Sequence, residues 1–253
     1  MSIPGWDQFE LEDRGISHVV FTKGEGRGVI VTHELPGMTP QCIALGERLV
    51  GAGYRVFLPL LFGVPFQNAL IRNAARICIN REFRVFQDGK TSPIVDWLRA
   101  LCRKAWAECA GPGVGMIGMC VTGNFAITLL AEPSVFAPVT CQPTLPFGLS
   151  HSARALAMSP ADLQAVKVRA QEENIPLLGF RFREDRLCRA EKFQRIREEL
   201  GDRFFPTHLP GRAHCVLTQD YVDEENHPTR KALEAILSFL HERLRSRSDT
   251  LAH

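Results

Sequence analysis

A cysteine among small residues is the feature of this sequence best suited to chemistry. Cys120 stands in the string G-M-C-V-T-G (residues 118–123), between a short apolar run and a helix-like segment. On a tight strand-to-helix turn a nucleophile points away from the sheet, and small neighbours let strand and helix approach. The amides at the helix start favour a thiolate there. The string predicts a nucleophilic Cys120, and a small buried hydrophobe is the alternative.

A cysteine nucleophile needs a base, and the base needs a carboxylate that orients it. In doubly wound hydrolases both partners follow the nucleophile along the chain, first the acid and then the histidine. Asp185 and His214 occur in this order. Each follows a predicted strand directly, which is where α/β sheets place their ligands. We therefore predict a Cys120–Asp185–His214 triad, with Glu184 and Asp202 as alternatives for the acid.

A second loop is expected to complete the site. The string H-E-L-P-G (residues 33–37) follows an early strand, and in such hydrolases this loop supplies one of two backbone N–H groups that bind an oxyanion. The candidates are the amides of Leu35 and Val121. Glu34 either holds or deprotonates the thiol, or faces solvent. The pair His33-Glu34 is no metalloprotease motif, because position 37 is glycine rather than a second histidine.

Strands and amphipathic helices alternate along the chain and must position these residues. Runs rich in Val and Ile predict strands at 16–22, 28–32, 54–60, 114–119, 135–141, 175–182 and 203–208, the first two as neighbours. Apolar residues at three-and-four spacing predict helices that begin near residues 40, 93, 124, 160, 187 and 228. We therefore predict one α/β domain over residues 1–253, with a mostly parallel sheet and helices on both faces. Residues 62–90 are predicted to be irregular or weakly helical and to cover something.

Composition excludes several classes of protein. The chain has 253 residues, 45% of them hydrophobic, and a net charge of +2, which argues against disorder and against a surface that coats nucleic acid. The sequence contains no long uncharged apolar window and no secretory signal, so we expect no membrane segment and a cytoplasmic protein. Eight cysteines without a C-x-x-C pair predict reduced thiols, and no metal site.

Four motifs together resemble the dienelactone hydrolase family. They are H-E-L-P-G at 33–37, G-M-C-V-T-G at 118–123, R-E-D at 183–185 and G-R-A-H at 211–214. The resemblance covers nearly the whole chain. It implies the α/β-hydrolase fold, a triad at Cys120, Asp185 and His214, and oxyanion donors at Leu35 and Val121. It also implies that Glu34 contacts the thiol at rest.

Three departures from the family pattern concern the substrate. Thr122 stands where the family usually has glycine, and its β-branched side chain narrows the turn. The stretch after His214 has no arginine to hold a substrate carboxylate, so Arg81 or Arg84 in the covering segment is the candidate to grip an anion. The interval from Cys120 to Asp185 is long and carries an inserted helical segment at about 145–172. The first departure is compatible with hydrolysis, whereas the second and third bring dienelactone itself into question as the substrate.

The resemblance implies acyl transfer on a small carboxylic ester or lactone, without metal or organic cofactor. We expect a monomer or a small homo-oligomer whose partner is a small-molecule substrate, with no nucleic acid and no membrane. Two alternatives come from other classes of protein. One is a noncatalytic hydrolase-fold protein that binds a ligand, and the other is a redox sensor in which Cys120 pairs with Cys141 or Cys215.

Overall fold

The computed structural model describes residues 2–68, 70, 72–73, 82–83, 89–145 and 153–245. The strands are β1 (Asp7–Asp13), β2 (Ile16–Lys23), β3 (Arg27–Thr32), β4 (Tyr54–Pro59), β5 (Ala110–Met119), β6 (Val135–Cys141), β7 (Leu177–Phe182) and β8 (Phe204–Leu209). The helices are α1 (Pro40–Gly51), α2 (Pro93–Glu108), α3 (Gly123–Leu129), α4 (Pro160–Glu172), α5 (Ala190–Leu200) and α6 (Pro228–Arg243). A short 3₁₀ turn, Cys120–Thr122, joins β5 to α3.

The eight strands form one sheet in the order β1-β2-β4-β3-β5-β6-β7-β8. The strands from β4 to β8 in this order run parallel, while β1 and β2 add an antiparallel edge. The predicted parallel sheet is confirmed. The prediction that the first two predicted strands are neighbours is wrong, because β4 pairs with both β2 and β3 and lies between them.

The edge strand β1 was not predicted. Its residues alternate acidic side chains with Phe9 and Leu11, and it pairs only with β2. An edge strand needs charged residues to discourage further strand pairing, so it lacks the apolar run that marks an inner strand. Inner strand β5 is the contrast, because its residues from Val114 onward are fully buried.

Helices cover both faces of the sheet, as predicted. On one face α1 and α6 pack their apolar sides, represented by Leu45, Leu49, Ile236 and Leu240, onto the sheet. On the other face α2 and α3 pack around Trp97 and Phe125, and α4 and α5 extend this layer. Buried apolar area on both faces is the main stabilising contribution to such a fold. Among the described residues, no helix has the length and apolar character needed to cross a membrane.

The starts of two helices confirm their sequence signals. The Thr39 hydroxyl accepts a hydrogen bond from the Cys42 amide, and the Ser159 hydroxyl accepts one from the Asp162 amide. Most of the covering segment at 62–90 lies outside the described residues, so its predicted role stays a prediction. The same holds for 146–152, and the later part of the predicted insertion is helix α4.

Gly118 permits the close approach of β5 and α3. A Cβ atom at this position would lie 2.4 Å from the carbonyl oxygen of Thr122 and 2.9 Å from Cβ of Ala126. Because the nearest of these atoms belongs to the backbone, it cannot move aside as the end of a flexible side chain could. Gly118, two residues before the cysteine, is therefore needed for the turn itself, as the sequence pattern predicted.

We expect Gly118→Ala to lower the free energy of unfolding by about 1–3 kcal/mol, because the added methyl overlaps the backbone of the turn. Urea unfolding measures this. The matched control is Gly51→Ala at the end of α1, where an added Cβ meets nothing within 4 Å. The control is expected to be neutral or to stabilise by up to about 1 kcal/mol. Equal effects of the two variants would contradict the overlap.

Candidate active site

Cys120 lies at the carboxyl end of β5 in a strained backbone conformation. Its φ angle is +55°, in the left-handed region that side chains other than glycine avoid. Such a residue costs about 1–3 kcal/mol and persists only where its surroundings enforce it. The Cys120 carbonyl accepts a hydrogen bond from the Thr144 amide at 3.1 Å, which ties the turn to the segment after β6. The thiol is nearly buried and borders the apolar layer under α2 and α3.

Thr122 holds the turn from within. Its hydroxyl accepts a hydrogen bond from the Met119 amide at 3.0 Å. The same hydroxyl lies 2.8 Å from the Met119 carbonyl and 3.1 Å from the Thr32 carbonyl, and its one proton can be donated to either. The residue that departs from the family's usual glycine therefore links the cysteine turn to the end of β3. The narrowing expected from its β-branched side chain is accommodated because the hydroxyl is fully satisfied.

Asp185 and His214 come together at the carboxyl ends of β7 and β8. His214 Nδ1 lies 2.7 Å from Asp185 Oδ2. The other oxygen of Asp185 accepts hydrogen bonds from the amides of Leu187 (2.8 Å) and Cys188 (3.0 Å), so the carboxylate is held at both ends. These contacts orient the imidazole with Nδ1 toward the acid. The order of residues in the sequence predicted this pairing of Asp185 with His214.

The two alternative acids lie elsewhere. Glu184 forms a 3.6 Å ion pair with Arg212 on the surface. Asp202 lies in the 3₁₀ turn before β8, exposed and beside Arg203. Among these three carboxylates, the hydrogen bond to His214 belongs to Asp185.

The second imidazole nitrogen of His214 faces the cysteine. Nε2 is buried and forms no hydrogen bond of normal geometry within the described residues, while the Cys120 thiol is close enough to interact with the imidazole. Burial lowers the pKa of His214, but hydrogen bonding to Asp185 and to the Cys120 thiol outweighs burial and raises the pKa to about 10. Cys120, His214 and Asp185 therefore interact as one electrostatic unit, with a proton favoured on the imidazole.

The loop that carries His214 is fixed by a carboxylate that the sequence analysis missed. Asp220 accepts hydrogen bonds from the amides of His214 (3.0 Å) and Cys215 (2.8 Å). An acidic residue six positions after a candidate histidine is a weak signal, because acidic residues are common in turns. Only the folded loop shows that this one has a positioning contact.

Glu34 is buried in a polar network beside the triad. Its carboxylate accepts hydrogen bonds from the hydroxyl of Thr218 and from the side-chain amide of Gln142, the latter at 3.0 Å. The thiol that it contacts in this structure is Cys215, so contact with Cys120 stays a prediction. Burial raises the pKa of Glu34, although these hydrogen bonds and the charge of His214 oppose the rise. The sequence analysis missed both Gln142, directly after β6, and Thr218.

The loop before Glu34 is held by a neutral histidine. His33 is fully buried, and its Nε2 accepts a hydrogen bond from the Leu61 amide at 3.1 Å. Its Nδ1 lies 3.3 Å from the Glu34 carbonyl. Burial lowers the pKa of His33 to about 4, so the ring is uncharged at neutral pH. His33 therefore positions the loop that carries Leu35, the first predicted oxyanion donor. Val121, the second, lies in the turn directly after Cys120.

Aromatic side chains form part of the apolar wall near this loop. Phe62 packs edge-on against His33 with ring centroids 4.3 Å apart, and Phe83 packs against Phe62 at 5.9 Å. Phe83 in turn lies 6.4 Å from Phe125 of α3. The predicted anion-gripping residues Arg81 and Arg84 lie outside the described residues, so their role stays a prediction.

Solved structures of α/β-hydrolases share this architecture at low sequence identity. A dienelactone hydrolase candidate from Klebsiella pneumoniae subsp. pneumoniae aligns with a TM-score of 0.66 and 15% identity, covering 94% of this chain and 98% of its own. Monoglyceride lipase from Saccharomyces cerevisiae aligns at 0.64 and 11% identity, covering 98% and 97%. A dienelactone hydrolase-like promiscuous phosphotriesterase from metagenomic libraries aligns at 0.60 and 15% identity, covering 95% and 98%. The chain thus has the α/β-hydrolase fold.

The sequence profile of the dienelactone hydrolase family matches residues 17–244. The chain belongs to the dienelactone hydrolase family, as its motifs predicted. Membership indicates a hydrolase of the esterase type and leaves its substrate open. Curated proteins gave no match to this chain.

We expect Thr122→Val to lower the free energy of unfolding by about 1–3 kcal/mol, because valine keeps the shape and leaves the buried Met119 amide without its acceptor. Thr122→Ser is the matched control, since it keeps the hydroxyl. Urea unfolding of both variants measures the difference. Equal stability of the valine and serine variants would show that the hydroxyl does not hold the turn.

We expect Cys120→Ala to lower the pKa of His214 by about 1–3 pH units, because it removes a group that stabilises the protonated imidazole. Asp185→Asn acts in the same direction for the same reason. NMR titration of the histidine side chains measures both. His208, whose pKa is lowered by burial and by Arg181 and Arg183, is the internal control and is expected to keep its value. A His214 that titrates identically in wild type and Cys120→Ala would contradict the coupling.

Proposed function

We propose that this protein hydrolyses small carboxylic esters or lactones with Cys120 as nucleophile, His214 as base and acid, and Asp185 as the residue that orients His214. The observation that carries the proposal is the 2.7 Å contact between Asp185 and an imidazole that also interacts with the Cys120 thiol on the strained turn. Nucleophile, base and orienting acid in this relation define the triad arrangement.

The first step of the proposed mechanism is transfer of the Cys120 proton to His214. Because the pKa of His214 is raised to about 10, the imidazole holds a proton that the thiol can supply. The resulting thiolate is the nucleophilic form of cysteine. Asp185 stabilises the imidazolium without taking the proton.

Acylation follows from these positions. The thiolate sulfur attacks the carbonyl carbon and forms a C–S bond, while the carbonyl π electrons move to oxygen. The Leu35 and Val121 amides are the proposed donors to this oxyanion, and each such donor is worth about 10²–10³ in rate. When the intermediate collapses, the C–O bond breaks and the leaving alkoxide takes the His214 proton. The acyl group remains on Cys120 as a thioester.

Deacylation reverses the roles. Neutral His214 removes a proton from water, and the oxygen of that water attacks the thioester carbonyl. Collapse of the second intermediate breaks the C–S bond, releases the carboxylic acid and restores the thiolate beside the imidazolium. In the tetrahedral intermediate of an amide, the thiolate leaves more readily than the amide nitrogen, so the intermediate reverts to substrate. Unactivated amides are therefore poor substrates.

The buried network around Glu34 supports a secondary role in this scheme. A carboxyl whose pKa is raised by burial tends to keep a proton, and a neutral Glu34 does not oppose a thiolate nearby. Its contact with Cys215 rather than Cys120 leaves the Cys120 thiol to His214. We propose that Glu34 is a positioning residue that holds Thr218, Gln142 and Cys215 in place beside the triad.

The direct test is hydrolysis of 4-nitrophenyl acetate and of a dienelactone by wild type, Cys120→Ala and His214→Ala. We expect each variant to lose about 10³-fold or more in kcat, because each removes a group of the proposed triad. Preference between the two substrates reports whether the missing arginine after His214 matters.

Cys109→Ala is the control variant, because it removes a half-buried thiol at the start of β5, the end of the strand opposite Cys120. We expect it to keep wild-type turnover. Turnover that survives Cys120→Ala would refute the mechanism.

One observation favours a redox role as the second candidate. Cys215 lies close enough to Cys120 for the two thiols to interact electrostatically. Cys215 contacts Glu34, and Cys120 interacts with His214. A peroxide would oxidise the Cys120 thiolate to a sulfenic acid, and the Cys215 thiol would displace water to form a disulfide. Burial raises the pKa of Cys215, which opposes this second step. A peroxide-dependent, dithiothreitol-reversible Cys120–Cys215 bond in wild type without ester turnover would favour this candidate.

A further inference from the structure

A cavity lies at the loop that carries Asp185. It has a volume of about 440 Å³ and is open to solvent, and we call it the arginine pocket. Its lining consists of Arg181 from β7, the loop residues 183–186 and 189, and the first two residues of α5. Four of these residues are arginines and three are acids, so the net charge available to a ligand depends on which of them are already paired.

Each of the three acids has its own partner. Asp185 binds His214 and two backbone amides. Glu184 pairs with Arg212, which lies outside the lining. Glu191 pairs with Arg189 at 2.6 Å, and its carboxylate also accepts from its own amide at the start of α5. Three arginines of the pocket are left without a carboxylate among these acids.

Arg181 is the unusual member of this set, because its side chain is buried with only 2% of the residue exposed. Its guanidinium contacts the Cys188 carbonyl (2.8 Å), the Arg183 carbonyl (3.1 Å) and His208 Nδ1 (3.3 Å). All three acceptors are uncharged, since burial and the neighbouring arginines lower the pKa of His208. Buried cations in proteins are normally paired with an anion.

Arg183 and Arg186 line the pocket and are exposed. Within the described part of the chain, neither forms an ion pair with a carboxylate. Two exposed guanidinium groups and one buried one thus border a single cavity, and none of the three forms an ion pair with a carboxylate of the described residues. Their planar N–H groups match the oxygens of phosphate, and a dianion balances more of this charge than a carboxylate does.

We propose that the arginine pocket binds a phosphate group, either free phosphate or the phosphate of a phosphomonoester. Arg183 and Arg186 contact the phosphate oxygens, and Arg181 supplies positive charge from beneath. The pocket lies on the loop that carries Asp185, whose carboxylate is already bound by His214 and two amides. Asp185 is shared with the proposed catalytic site, so the pocket adjoins that site, and phosphate binding itself does not need the Cys120 thiol.

The test is calorimetric titration of the protein with inorganic phosphate and with phenyl phosphate at low ionic strength. We expect saturable binding of both that weakens as salt is added, because the contacts are ionic. Arg183→Gln/Arg186→Gln is expected to weaken binding by about tenfold or more, since hydrogen bonds to charged groups are lost. Arg181 stays in place, because its three hydrogen bonds support the fold.

The matched control is Arg197→Gln/Lys231→Gln, which removes the same charge from exposed positions on α5 and α6. We expect it to bind phosphate as wild type does. Absence of saturable binding, or equal weakening in both double variants, would overturn the site. Cys120→Ala should bind phosphate normally, so failure of the hydrolysis proposal is distinguishable from failure of this one.

Calorimetric titration of Cys120→Ala with two thioesters identifies the source of the phosphate. The thioesters are acetyl-phosphopantetheine and acetyl-pantetheine, which differ by the phosphate alone. If the phosphate belongs to an acyl substrate, the phosphorylated thioester binds more tightly than inorganic phosphate does. If free phosphate is the ligand, the phosphorylated thioester binds no more tightly than phosphate. In both cases the phosphate-free thioester does not compete with inorganic phosphate for the arginine pocket, and competition would overturn the assignment.

Discussion

The left-handed backbone of Cys120 is the constraint on which the rest of the structure depends. A side chain at φ +55° is unfavourable by itself, so the neighbouring residues must hold it there. The Thr122 hydroxyl, the Thr144 amide and the absence of a side chain at Gly118 all contribute to that. Together they hold the 3₁₀ turn between the buried end of β5 and the buried helix α3. The strained turn lifts the thiol out of the sheet toward His214.

Two buried carboxylates near this turn have different environments and therefore different roles. Asp185 has a histidine on one oxygen and two backbone amides on the other. Glu34 has a hydroxyl, a side-chain amide and a thiol around it, and burial raises its pKa. In the proposed mechanism the first orients His214, whereas the second keeps a proton and so adds no negative charge beside the cysteine. Sequence position does not distinguish them, because each is an acid in a loop after a strand.

Parallel topology places these groups within reach of each other. Cys120, Asp185 and His214 follow β5, β7 and β8, whose carboxyl ends meet at one edge of the sheet. The loop after β7 serves two directions, since Asp185 points inward to His214 and the arginines around it border the surface cavity. A loop held by hydrogen bonds to a buried carboxylate is rigid enough to present charged side chains in a defined arrangement. Charge pairing rather than charge count is what distinguishes this cluster from a solvated surface.

The sequence by itself determined the alternating fold, the cysteine turn, and the order of Asp185 and His214, because hydrophobic periodicity and chain order are local or linear properties. It did not determine strand order, since β4 lies between β2 and β3 through long-range pairing. Asp220, Gln142 and Thr218 were also missed, because a polar residue in a loop gains meaning only from what it contacts. Tertiary structure alone chose Asp185 over Glu184 and Asp202, and it alone showed which arginines have no carboxylate. Hydrogen bonds and ion pairs join residues far apart in the chain, and no spacing in the sequence encodes their distances.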